Sequence, residues 1–122
     1  KARTGNARRI DLPGHAFSRI HVDDIAAVLR ASMAAPDAGR VYNVCDDQAA
    51  PGGDVVSFAC DLLGLEPPPF VALADADLSA MARSFYDDSR RISNACMKRE
   101  LGVKLRYPTY REGLTAILAA EA

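Results

Sequence analysis

The most pointed chemical constellation in this chain is His21-Val22-Asp23-Asp24. An imidazole beside two carboxylates could act as a general base or as a metal ligand. One histidine with adjacent acids converges too few ligands, and no metal site is expected. The competing structural reading makes an aspartate the cap of a helix and His21 a hydrogen-bonded hinge at a strand–helix corner. In that reading His21, Asp23 and Asp24 are a structural corner, and a carboxylate fills the anion position at the helix N-terminus, which is then no phosphate site. A hydrolase triad of Ser18, His21 and Asp23 is excluded, since one short strand cannot align three such side chains. His15, just past a turn, is expected to be solvated.

A second stretch joins cations to rings: Arg83-Ser84-Phe85-Tyr86, Arg90-Arg91, Lys98-Arg99, Lys104 and Arg106-Tyr107. It admits a nucleic-acid surface, with arginines on phosphates and rings on bases, or a compact anion site in which a guanidinium forks a diphosphate. Interleaved Asp87, Asp88 and Glu100 weaken the first, and no nucleic-acid partner is expected. Lys98, Arg99 and Lys104 simply solvate exposed faces. Arg83, one turn into a short helix after an acidic loop, is the candidate ligand arginine. No G-x-G-x-x-G occurs; Gly52-Gly53 precedes a helix but follows a long loop rather than a strand. No Tyr-x-x-x-Lys occurs either, because Tyr86 and Tyr107 are followed four residues on by Arg90 and Arg111. G-x-S-x-G, H-E-x-x-H and the P-loop are missing as well. No catalytic residue is therefore assigned.

The elements that must position these groups belong to an ordinary globular chain. Its 122 residues are 49% hydrophobic and 25% charged, with a formal net charge of −1. That fits one domain, too apolar for disorder and too neutral for a dedicated nucleic-acid binder. No run approaches the roughly 20 apolar residues of a membrane helix, and a cytoplasmic protein without a membrane partner is expected. The near-neutral total hides an acidic middle, with seven acids and no Lys or Arg over residues 41–82, between two basic flanks. Cys45, Cys60 and Cys96 are odd in number and widely spaced, neither a disulfide framework nor a zinc pattern. The chain opens on Lys1, and Ala2-Arg3-Thr4-Gly5 reads like a helix tail with a glycine stop, as expected of a piece of something longer.

Periodicity predicts alternating elements. Residues 7–10 suggest a short strand and Leu12-Pro13-Gly14 a turn; residues 17–22 and 40–45 alternate as strands. Between them Asp23 or Asp24 caps a helix whose Ile25, Val28, Leu29 and Ser32/Met33 share a face. Asp54 caps a helix to Leu63, stopped by Gly64, and residues 70–73 suggest a strand beyond Pro67-Pro68-Pro69. Ser79 caps a short helix through Tyr86, residues 90–92 a brief strand, and Ser93 a helix to Leu101, stopped by Gly102. Thr109 and Glu112 form a capping box for a closing helix with Tyr110, Leu114, Ile117 and Leu118 on its apolar face. The fold class predicted is α/β, with short strands alternating with four to five helices.

These residues carry a resemblance. The segment Phe17-Ser18-Arg19-Ile20-His21-Val22-Asp23-Asp24-Ile25-Ala26 resembles the "HVDD-hydrophobe-Ala" segment of NAD-dependent epimerase/dehydratases, in the extended and atypical branch of the short-chain dehydrogenase/reductase superfamily. Val41-Tyr42-Asn43-Val44 is similar to the strand that follows there. Lys98-Arg99-Glu100-Leu101-Gly102 and residues 107–114 look like the C-terminal "eLG…y…eGL" ending. The resemblance spans residues 10–118. It implies that residues 1–122 are the C-terminal, substrate-binding portion of a Rossmann-type oxidoreductase or isomerase. The N-terminal cofactor domain is then absent from this chain and would carry NAD or NADP and any Tyr/Lys pair; none is expected on this segment alone. The parent would oxidise and re-reduce a sugar-type alcohol, often of a nucleotide-sugar. The resemblance further implies substrate contacts from Arg83, Arg19 and Tyr86. Where the family commonly has a phosphate arginine, four residues before the histidine, this chain has Phe17. That departure points to atypical members, among them non-catalytic NAD(P)-sensing or protein-binding modules. Strands made for a larger sheet would expose edges here, so a homodimer or a strand-exchanged oligomer is expected.

Overall fold

A computed structural model describes residues 1–121. In chain order the elements are β1 (Arg9–Asp11), α1 (Val22–Ala34), α2 (Gly52–Leu63), β2 (Phe70–Ala72), α3 (Ala80–Ser84), α4 (Ala95–Leu101) and α5 (Tyr110–Glu121), with a 3-10 turn over Leu73–Asp75. The chain is α/β as predicted. It divides into two compact units: Lys1–Phe17 with Ala50–Arg91, and Ser18–Ala49 with the residues from Ile92 onward.

In the first unit β1 and β2 pair in parallel, Ile10 opposite Val71, and α2 packs on β1. Parallel neighbours need a crossover, and α2 lies in the connection. Ile10 and Cys60 are buried. Gly53 allows the close approach of helix and sheet, since a Cβ there would sit 2.9 Å from the Phe70 ring. Pro51 precedes α2 as its N-cap, so the helix starts earlier than Asp54, whose carboxylate falls in the first turn. Gly64, at φ 66°, ends it as predicted. Its N–H donates to the Asp61 carbonyl and that of Leu65 to the Cys60 carbonyl, the two bonds of a Schellman stop.

In the second unit α1 packs against α4. Met97, Val28, Cys45 and Tyr110 are buried. The capping box holds: the Thr109 N–H donates to Glu112 Oε2 at 3.0 Å and the Arg111 N–H to Thr109 Oγ1 at 3.2 Å. Gly102, at φ 64°, stops α4. Asn94 rather than Ser93 occupies the N-cap of α4. Its side chain reaches away, donating to the Cys45 carbonyl at 3.0 Å and to Asp47 Oδ1 at 2.8 Å.

Three predicted strands do not form among the described residues. Residues 17–22 contribute only the antiparallel bridge of Phe17 with Ala50, and residues 40–45 and 90–92 join no sheet. Alternation prepares a strand, but a ladder needs a neighbouring backbone at register. Single bonds take its place, as where the Asp46 N–H donates to the Arg19 carbonyl at 2.7 Å. The predicted apolar face of α1 also divides. Val28 is buried, while Val22, Ile25, Leu29 and Met33, recurring every three or four residues, lie exposed, Leu29 at 59% and Met33 at 74%.

Candidate functional site

In the first unit Ser79 starts α3 by accepting from the Ala82 N–H at 3.1 Å, which sets Arg83 in the last turn and Tyr86 just beyond. Arg83 is already engaged: Nη1 donates to the Leu73 carbonyl at 2.7 Å and Nη2 to the Ala76 carbonyl at 2.9 Å. It ties the 3-10 turn to α3. Tyr86 lies in a ring cluster, 5.3 Å from Phe17 in edge-on contact and 5.4 Å from His15. His15 is only 7% exposed, correcting the expectation that it is solvated. Its Nε2 stands 2.9 Å from the Asp88 carbonyl, and since a carbonyl can only accept, that nitrogen carries the proton.

A surface cleft of about 770 Å³ opens beside this cluster. Phe17, Tyr86, Phe85 and Met81 provide rings and a thioether, and Gly52 leaves room at the start of α2. Arg8 stands on its wall, with Nη1 donating to the Asp77 carbonyl.

The second unit holds His21, Asp23, Asp24 and Arg19. His21, not an aspartate, is the N-cap of α1, its Nδ1 accepting from the Asp23 N–H at 3.1 Å. The ring lies 4.1 Å from that of Tyr107 and against Gly113 of α5, where a Cβ would come within 3.3 Å of it. Asp24 is 1% exposed and accepts from the Arg106 and Tyr107 N–H groups, each at 2.9 Å. This carboxylate ties the start of α1 to the approach to α5. Asp23 stays exposed, 3.8 Å from His21 Nδ1.

Arg19 is half-buried near Asp46 and Tyr110. Burial lowers its pKa, against the pull of Asp46 and Tyr110. Burial raises the Asp46 pKa, opposed by the Gln48 N–H at 2.9 Å and by Arg19. Asp47 is pulled below the usual carboxylate range by hydrogen bonds from Asn94 and then Lys98, whose Nζ lies 2.6 Å away. Sequence reasoning missed Asp46, Asp47 and the burial of His15; the only signal for the first two was an acid pair directly after an apolar run.

Tyr86 and Arg83 thus share one unit, where the Tyr86 N–H donates to the Arg83 carbonyl at 2.9 Å, and Arg19 belongs to the other. No group of three metal-ligating side chains exists among the described residues. The residues present also do not suit a dinucleotide: α2 starts from a Pro51 loop, not from a strand end with a glycine-rich turn.

No family model matches the chain. Protein YeeZ of Escherichia coli K12 is 29% identical over 94 residues, covering 77% of this chain and 31% of YeeZ. A functionally unknown conserved protein from Silicibacter pomeroyi DSS is 56% identical, with a TM-score of 0.91 over 96% of this chain and 42% of that one. Human epimerase family protein SDR39U1, solved with NADPH, superposes at a TM-score of 0.79 and 18% identity, over 97% of this chain and 40% of that one. RMD from Pseudomonas aeruginosa, complexed with NADPH, gives 0.65 at 23% identity, over 97% and 36%. The α/β fold is therefore one that this chain shares with a portion of each of these solved proteins. The chain spans about a third of YeeZ and less than half of each of these solved proteins.

Proposed function

We propose that this chain is the substrate-side, C-terminal portion of a cytoplasmic NAD(P)-dependent epimerase/dehydratase-like oxidoreductase, inactive alone. Its parent acts on a nucleotide-sugar or a similar sugar-type alcohol. The observation that carries the reading is the match of nearly the whole chain to 40% of an epimerase-family protein solved with NADPH. The unsuitability of these residues for a dinucleotide supports placing the cofactor on a Rossmann domain that precedes them. Tyr86, on the cleft wall, is the best-supported substrate contact. Within the first unit, a ligand phosphate would reach Arg83 by taking donors now given to the Leu73 and Ala76 carbonyls.

The exposed stripe of α1 supports a partner surface, with the Rossmann domain as its partner in the parent and a second copy in the isolated chain. A second reading, a non-catalytic NAD(P)-sensing or protein-binding module, draws support from the engagement of Arg83 and from Phe17 where the family places an arginine. An upstream Tyr-x-x-x-Lys favours the enzyme, and its loss the sensor.

The test is NADPH titration followed by nicotinamide fluorescence. Adding the residues encoded upstream of Lys1 should create saturable binding that the present chain lacks. Failure of the extended protein to bind would overturn the reading.

A further inference from the structure

We infer that the cleft of the first unit takes a flat, largely apolar ring bearing a single negative charge, in preference to a diphosphate. This takes from the proposed function only that the cleft is the substrate site, on which it rests, and departs from it in the class of ligand, setting an aryl carboxylate in place of a nucleotide-sugar. Three observations converge. The first is ring geometry. Phe17 and Tyr86 meet edge-on at 5.3 Å, and His15 braces both, 4.6 Å from Phe17 and 5.4 Å from Tyr86, from a buried position. A rigid aromatic wall of this kind favours edge or offset stacking with another ring.

The second is unpartnered apolar surface. Met81 is 75% exposed and Phe85 60% exposed, both on the cleft. Large apolar groups gathered at a concavity mark a binding surface, and a thioether adapts to ring edges. The third is charge. Among side chains the lining carries Lys1 and Arg8 against Asp77, an excess of one positive side-chain charge to meet a ligand. Arg83, the other guanidinium nearby, spends both terminal nitrogens on carbonyls. Arg8 has one nitrogen on the Asp77 carbonyl and can turn its remaining donors to one carboxylate. A diphosphate would find neither a second free fork nor relief from Asp77.

The test compares three probes by ligand-observed NMR and calorimetry on this 122-residue chain: 1-naphthoate, uridine and UDP-glucose. Naphthoate should bind saturably, and UDP-glucose no more tightly than uridine. Tyr86→Ala should weaken naphthoate about tenfold, the loss typical of a buried ring contact. Met81→Glu, at an exposed position that tolerates substitution, should weaken naphthoate more than uridine, since the added carboxylate repels the anion as well as removing a thioether contact that both rings share. UDP-glucose binding at least tenfold tighter than uridine would overturn the inference in favour of diphosphate recognition. So would absence of naphthoate binding in a chain whose circular dichroism shows it folded. Either failure leaves the NADPH titration free to succeed, so the two readings fail separately.

Discussion

Asp24 brings a carboxylate into a buried position and satisfies it with two backbone amides, those of Arg106 and Tyr107. Truncation would strand both donors, so Asp24→Ala should cost about 2–4 kcal/mol in urea unfolding. Asp23→Ala, one residue away but exposed, should stay within about 0.5 kcal/mol. Equal effects would remove Asp24 from its tethering role. Asp46 behaves oppositely with pH from its neighbour. Its folded pKa is raised by burial, so its contribution is full below the unfolded value of about 3.9 and is lost as pH rises through the folded value. Stability of Asp46→Asn relative to the natural chain should therefore climb with pH across that window and then level off. A difference flat with pH would refute the assignment. Asp47, held low by Asn94 and Lys98, contributes stability above the unfolded value that disappears as pH falls through the folded one. These roles were illegible in the sequence, where Asp23 and Asp24, or Asp46 and Asp47, are neighbours of one type. Burial separates them.

Helix ends were legible because their chemistry is local. Gly64, Gly102, Ser79 and the Thr109/Glu112 box stand where the turn rules place them, each within a few residues of its partner. Gly64→Ala, forced to hold φ near 66°, should lower stability by about 1 kcal/mol in urea unfolding. An unchanged midpoint would mean that α2 ends by other means. Strands were another matter. Residues 40–45 have strand alternation and no ladder, whereas β1 and β2, three residues each, pair across nearly sixty residues of chain. Alternation states which faces a strand would offer, but not whether another backbone lies alongside. The N-cap of α1 shows a subtler miss: imidazole Nδ1 accepts the amide that either carboxylate was expected to take, and one carboxylate is thereby released to tie down residues 106–107.

At the scale of the whole molecule, the stripe Val22, Ile25, Leu29 and Met33 leaves four apolar side chains of one helix face exposed. Sedimentation velocity should show self-association that Leu29→Glu with Met33→Glu abolishes. A stable, unswapped monomer at every concentration would count against the partner surface. The sequence by itself determined the α/β class, the glycine stops of α2 and α4 and the capping box of α5, because all of these reside in near-neighbour patterns. Tertiary structure alone decided that Arg83 binds carbonyls, that His15 is buried among rings, that Asp24 is a tether and that one face of α1 stays uncovered. Each of these depends on which distant group arrives beside a side chain, and residue spacing along one chain does not record that.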